Sequence, residues 1–203
     1  VRMQAGAGGS PALREITVLY MDTSVGPTTT QAKRRTEVGP ATSQGVPKPP
    51  VITRAGWGAD ESYRNWDPEY RPVEKLVVHH TVTANDYAED QAAQWVRSIY
   101  YYHAVALGWG DVGYNYLVDR YGNIYEGRYG GPGVVGGHVY SYNYGSVGIA
   151  LMGTHGNSGN SEAPTAAALR AVRALSVWEA SRSYIHPLES VPFFGATTPN
   201  LGG

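Results

Sequence analysis

The feature that most constrains this chain is a β-branched run, Leu76-Val77-Val78, that ends in two adjacent imidazoles, His79-His80, before Thr81. Such a run reads as a strand buried on at least one face. Side chains alternate across a strand, so His79 shares a face with Val77 and Thr81, and His80 shares the other with Leu76 and Val78. The two rings therefore cannot enter one cleft. One is a candidate ligand or catalyst, and the other a hydrogen-bonded core or supporting histidine.

The residues that follow build a strand, helix, strand unit. A helix is expected behind Asp86, capped by that carboxylate with Glu89 reaching back from three residues on. Ala92, Val96, Ile99 and His103 recur on one helical face, and Gly108 suits the left-handed position just past Leu107. A second strand, Tyr114 to Asp119, turns through Tyr121-Gly122-Asn123 into Ile124-Tyr125-Glu126, which makes a hairpin. Tyr129 to Gly137 is rich in glycine and reads as a loop walling a cleft. No Lys-Ser/Thr and no helix start follow it, which argues against a phosphate cradle. Ser146 to Met152 should be a central strand. Pro164 opens a helix to about Tyr184, with Ala168, Val172, Leu175 and Trp178 on one face and Arg170, Arg173 and Arg182 solvated.

At 203 residues the chain suits one domain plus an extension. Residues 1–21, with an alternating stretch from Leu13 to Met21, read as a remnant of an upstream domain; 22–50, ending in Pro47-Lys48-Pro49-Pro50, as a linker; 51–188 as the globular domain; and 189–203 as a disordered tail. Sixteen Lys+Arg against 17 Asp+Glu leave a net charge of −1, without the basic field a nucleic-acid partner requires. The absence of cysteine excludes disulfides and thiolate metal ligands from this chain. No window approaches the roughly 18 apolar residues of a membrane span. No basic, apolar leader stands at Val1, so any secretion signal is expected outside this sequence.

Several motifs now fall in a telling order: Arg54-Ala55-Gly56-Trp57-Gly58-Ala59, Val78-His79-His80-Thr81, a helix ending in His103 before Gly108-Trp109, and Asp111-Val112-Gly113-Tyr114. Tyr121 to Arg128, Gly136-Gly137-His138 with Asn143, and Ser146 to Gly153 continue it. Over about residues 51 to 186 the chain resembles the type 2 N-acetylmuramoyl-L-alanine amidases and their relatives, the peptidoglycan recognition proteins. The resemblance implies an α/β fold, a central mixed sheet flanked by helices, with the cleft at the strand ends that hold His79 and Tyr114. It implies a secreted or cell-wall-associated protein whose partners are peptidoglycan and muramyl peptides. In the bacterial cell wall, such an enzyme cleaves the lactyl-amide bond between N-acetylmuramic acid and L-Ala with zinc-activated water.

By motif position His79 is similar to the first zinc ligand and Tyr114 to the catalytic tyrosine beside it. His103, His138 and Asn143 fall at positions that line the peptide groove, and Arg128 offers a bidentate partner for a stem-peptide carboxylate. Simpler roles stand beside these: His103 completes an apolar helix face, Asn143 turns a loop, and Arg128 is a surface arginine at a hairpin end. The family's other two zinc ligands lie in a Gly-His-Arg and Cys/Asp-Pro-Gly segment past the last helix. This chain has nothing of that form; His186, before Pro187, matches only its lead-in. The expectation is therefore either an amidase whose metal site is completed elsewhere or a peptidoglycan-binding module without catalysis. The third stem-peptide residue, diaminopimelate or lysine, is left open.

Overall fold

The computed structural model describes residues 46–156 and 161–186. The expected strand Leu13 to Met21, the linker up to residue 45 and the tail 189–203 lie outside the described residues. Among these residues four strands form one mixed sheet: β1 Lys75–His80, β2 Tyr116–Val118, β3 Ile124–Glu126 and β4 Ser146–Leu151. Their order is β1-β4-β2-β3, with β4 parallel to both neighbours and β2-β3 an antiparallel hairpin. β4 is buried along its whole length, as the central strand of a sheet covered on both faces must be. Ile52 pairs with Tyr125 and extends the sheet past β3.

Among the described residues three α-helices complete the layers: α1 Arg54–Trp57, α2 Ala92–Tyr101 and α3 Ala166–Arg182. One face of the sheet, with Leu117, Tyr125 and Met152, packs against Trp57 of α1 and Ala92, Val96, Ile99 and Tyr100 of α2. The other, with Val78, Val147, Ile149 and Val118, packs against Ala168, Val172 and Leu175 of α3. The α/β arrangement expected from the sequence is the one observed. Among the described residues no helix is long and apolar enough to cross a membrane.

Two local expectations are corrected. The helix cap is not built by Asp86 and Glu89: a 3₁₀ turn Glu89–Gln91 leads into α2, and Gln91 Oε1 accepts from the Ala88 N–H at 2.9 Å. Glu89 Oε1 instead faces the Asn123 amide at 3.4 Å, because the β2-β3 turn lies across the helix start. At its other end α2 passes into a π-helical turn, Tyr102–Ala106, and Gly108 (φ +69°) then reverses the chain. Such one-turn π segments sit where an extra residue is accommodated to aim a side chain, and here the turn carries His103.

Candidate functional site

The two histidines of β1 part as the strand alternation requires. His80 lies on the α3 side, where its Nδ1 accepts from the His155 N–H at 2.8 Å. His79, paired in register with Ala150 of β4, lies on the α2 side at the strand end. There its Nε2 stands 2.8 Å from Nδ1 of His138.

His138 reaches this position because two glycines leave room for its ring. A Cβ on Gly148 would stand 2.4 Å from the His138 ring, and one on Gly136 2.7 Å from it. Asn143 holds the loop that delivers it, its Oδ1 accepting from the N–H groups of His138 (2.7 Å) and Val139 (2.9 Å). His138 Nε2 in turn faces Ser146 Oγ at 3.3 Å, and that hydroxyl lies 3.0 Å from the carbonyls of Tyr142 and Asn143. Because a hydroxyl committed to a carbonyl accepts from the ring, the network assigns the tautomers. His138 carries its proton on Nε2, and His79 donates from Nε2 into His138 Nδ1.

His79 also meets the Tyr114 ring (centroids 5.5 Å apart), Tyr114 meets His103 (5.4 Å), and His103 lies against Trp109 (4.6 Å). The Gly113 N–H donates to His103 Nδ1 at 3.1 Å, which leaves the proton of the neutral ring on Nε2. The Tyr114 hydroxyl has no hydrogen-bond partner among the described residues, and burial raises its pKa, so it remains a protonated donor. Burial pushes His79 down to about 4, helped by His80, and pushes His103 down to about 4, helped by Arg128. His138 falls well below the ordinary histidine value through burial, with His79 and Arg128 adding to it. All three rings are therefore neutral near pH 7.

Arg128 is not at the surface. It is 1% exposed, its Nη1 donates to the Val112 carbonyl at 3.2 Å, and its guanidinium lies 4.6 Å over the Trp66 ring. Burial lowers its pKa to about 10; Asp111 opposes the shift and Arg54 adds to it. Asp111 is itself fully buried and already bonded to Arg54 Nη1 (3.0 Å), Val112 N–H (2.7 Å) and Tyr129 N–H (2.9 Å). The sequence pointed to Arg128 but not to this network. Asp111 and Arg54 stand in the motifs given above, whereas Arg64 and Trp66 stand in none of them.

His79, His103, Tyr114 and His138 thus come together, with Asn143 and Arg128 behind them. Zinc is less well served. His79 has His138 as its near imidazole, with its Nε2 committed to it, and no group of three His, Cys, Asp or Glu among the described residues is placed to hold a metal. A catalytic zinc needs about three protein ligands. The described residues do not fit that set.

Comparison with known proteins gives the family of the chain. The family model described as N-acetylmuramoyl-L-alanine amidase matches residues 69–195. The chain belongs to that amidase family. A peptidoglycan recognition protein of Trichoplusia ni is 39% identical over 105 residues, 52% of this chain and 54% of that protein, so the chain spans about half the length of that relative. Peptidoglycan-recognition protein SC2 of Drosophila melanogaster is 34% identical over 137 residues, covering 66% of this chain and 70% of the relative. Among solved structures, peptidoglycan recognition protein-LE in complex with tracheal cytotoxin, a monomeric diaminopimelic acid-type peptidoglycan, is 34% identical with a TM-score of 0.59. The match covers 66% of this chain and 76% of that one. In this amidase family member His79 sits on a strand of the sheet, and His103, Tyr114 and His138 on the turns around it.

Proposed function

We propose that the cleft binds the peptide stem of peptidoglycan, and that the protein acts outside the cytoplasm, secreted or at the cell wall. The observation that carries this reading is the ring series His138, His79, Tyr114, His103, Trp109, which leaves the Tyr114 hydroxyl and His103 Nε2–H as unspent donors on one wall. Peptide carbonyls are the acceptors such donors take. Neutral histidines suit this role, since no buried charge must be compensated when the ligand displaces water. Arg128 supplies a cation behind the same wall. A carboxylate would meet it favourably, whereas the ammonium of a lysine side chain would be repelled. That polarity favours diaminopimelate at the third stem position.

The second reading, favoured by the family match, is hydrolysis of the lactyl-amide bond. Tyr114 can donate to a developing oxyanion, which contributes about 3–4 kcal/mol. Enzymes supply at least about 8 kcal/mol, so that donor alone falls short. The described residues supply one donor to an oxyanion and an incomplete zinc ligand set; binding is the reading they support best.

The test is calorimetric titration of a muramyl tripeptide into the 203-residue chain, with and without EDTA, beside zinc analysis and chromatography of released peptide. Binding unchanged within twofold by EDTA is expected. No binding to muramyl tripeptides of either type would remove the reading, and stoichiometric zinc with chelator-sensitive release would replace it with the amidase one.

A further inference from the structure

Away from the cleft, α2 keeps a second face. Ala92, Val96 and Ile99 turn into the core, whereas Gln94, Arg97, Ser98 and Tyr101 follow one another on the exposed side of the helix. This face and the 3₁₀ turn Glu61–Tyr63 border an open groove of about 390 Å³, with Asp60 and Tyr63 on its other side. A volume of that order suits a small ligand. The floor is fixed in advance. Tyr100 is 1% exposed, its hydroxyl donates to the Asp60 carbonyl at 3.1 Å, and its ring stands at 78° to Trp57 with centroids 5.7 Å apart. Arg97 Nη1 donates to the Trp57 carbonyl at 2.7 Å, which holds that guanidinium at the rim.

Two tyrosine rings stand in the groove at nearly a right angle. Tyr63 and Tyr101 meet at 78° with centroids 5.4 Å apart, and they are 37% and 49% exposed. The Tyr101 hydroxyl and the Gln94 side-chain amide have no hydrogen-bond partner among the described residues. The Ser98 hydroxyl donates to the Gln94 carbonyl at 3.0 Å, so its oxygen is left as an acceptor.

We infer that this groove binds a neutral pyranoside unit of a glycan chain, with Tyr101 and Tyr63 as stacking rings and Gln94 and Arg97 as partners for its rim. A pyranose presents C–H groups of partial positive charge on its faces, which meet the negative face of an aromatic ring. Its hydroxyls project around the edge and need donors and acceptors there. Gln94 supplies both kinds, Arg97 donors, and Asp60 and Ser98 acceptors. Charge narrows the ligand further. Asp60 and Arg97 carry opposite signs in one groove, which leaves little net attraction for an anion or a cation. Peptides dock by pairing with a strand edge or by seating apolar anchors in a hydrophobic groove, and a helix face lined by Gln94, Arg97 and Ser98 offers neither. The groove lies on the side of α2 turned from the sheet, whereas the cleft rings lie on β1 and on the turns after α2. The peptide-binding reading and the glycan site therefore stand or fall separately.

The experiment titrates the ¹⁵N-labelled 203-residue chain with cellotriose and with N-acetylchitotriose, which share pyranose rings and differ in their acetamido groups. Concentrations reach about 10 mM, enough to fill a site of millimolar affinity. Saturable shifts are expected for the Gln94 side-chain amide and the backbone N–H groups of Arg97, Ser98 and Tyr101, with the Gly113 N–H of the cleft unmoved. Shifts with both saccharides assign the site to the pyranose ring, and shifts with N-acetylchitotriose alone assign it to an acetamido glycan. Tyr101→Ala should melt as wild type does and weaken binding at least fivefold, while Tyr101→Phe, which keeps the ring, should stay within twofold. Gln94→Ala, on the exposed helix face, gives the same test without touching a ring and should cost at least threefold. No shift with either saccharide, shifts confined to residues outside the groove, or wild-type binding in both Tyr101→Ala and Gln94→Ala overturns the inference. So does a sugar-free stem tripeptide that moves the Gln94 and Tyr101 resonances where the saccharides do not.

Discussion

Gly148 matters because of what it lacks. The His138 ring occupies the space a side chain would fill, with three ring atoms within 2.7 Å of the Cβ position. Gly148→Ala should therefore drive the ring off the sheet, break its contact with His79 and lower stability by about 1–3 kcal/mol through overpacking. Thermal melting and calorimetry with a muramyl tripeptide would check it; unchanged affinity would mean that His138 does not shape the cleft. His103 sets a pH dependence. Its folded pKa is about 4 because of burial and the nearby Arg128, against an ordinary value of about 6.5. The unfolded chain therefore binds the proton first, and the stability that His103 contributes as a neutral ring is present above pH 6.5 and lost as pH falls toward 4. Denaturant titrations at pH 7 and pH 4.5 should show that fall, and His103→Gln, which keeps a neutral polar side chain, should make it shallower.

At the scale of the element, ends matter more than middles. α3 begins where Thr165 Oγ1 accepts from the Ala168 N–H at 3.1 Å, and the same hydroxyl bonds the Arg120 carbonyl. Thr165→Ala removes both, so a loss of about 1–2 kcal/mol is expected in chemical denaturation. Ligand affinity should hold, since α3 packs on the face away from His79. The π turn at the end of α2 is the opposite case, an end that serves the site. Residues 102–106 carry His103 to the Gly113 N–H and to Tyr114. The helix face Ala92, Val96, Ile99 and His103 was readable from spacing, and three of those four simply fill the core. His103 does both, being 8% exposed yet part of the ring series.

For the whole molecule the sheet is a partition. His79 faces the α2 layer and His138, while His80 faces the α3 layer and accepts from the His155 backbone N–H. The two alanine variants should separate accordingly. His79→Ala should abolish muramyl tripeptide binding at least tenfold with little change in melting, because the ring is half-buried and works at the cleft edge. His80→Ala should keep affinity within twofold and lose about 1 kcal/mol, the worth of one acceptor to a backbone N–H. The reverse outcome in calorimetry and melting would invert the two faces.

Periodicity and glycine placement alone determined the chain order of the four strands and of α2 and α3, the hairpin at Tyr121-Gly122-Asn123, a buried central strand expected at Ser146 to Met152 and the division of His79 from His80. These are local properties, carried by side-chain alternation and by turns that few residues accept. The motif resemblance placed His79, His103, Tyr114, Arg128, His138 and Asn143 along the chain. Tertiary structure decided which atoms meet. Spacing could not show that His138, 59 residues from His79, lays its ring over Gly148 and accepts the His79 proton. Nor could a hairpin-end position show that Arg128 is enclosed beneath Trp66, a residue 62 positions earlier with no motif of its own. Burial of a charge and the pairing of its donors depend on what other segments bring to it, and that is fixed only when the layers close.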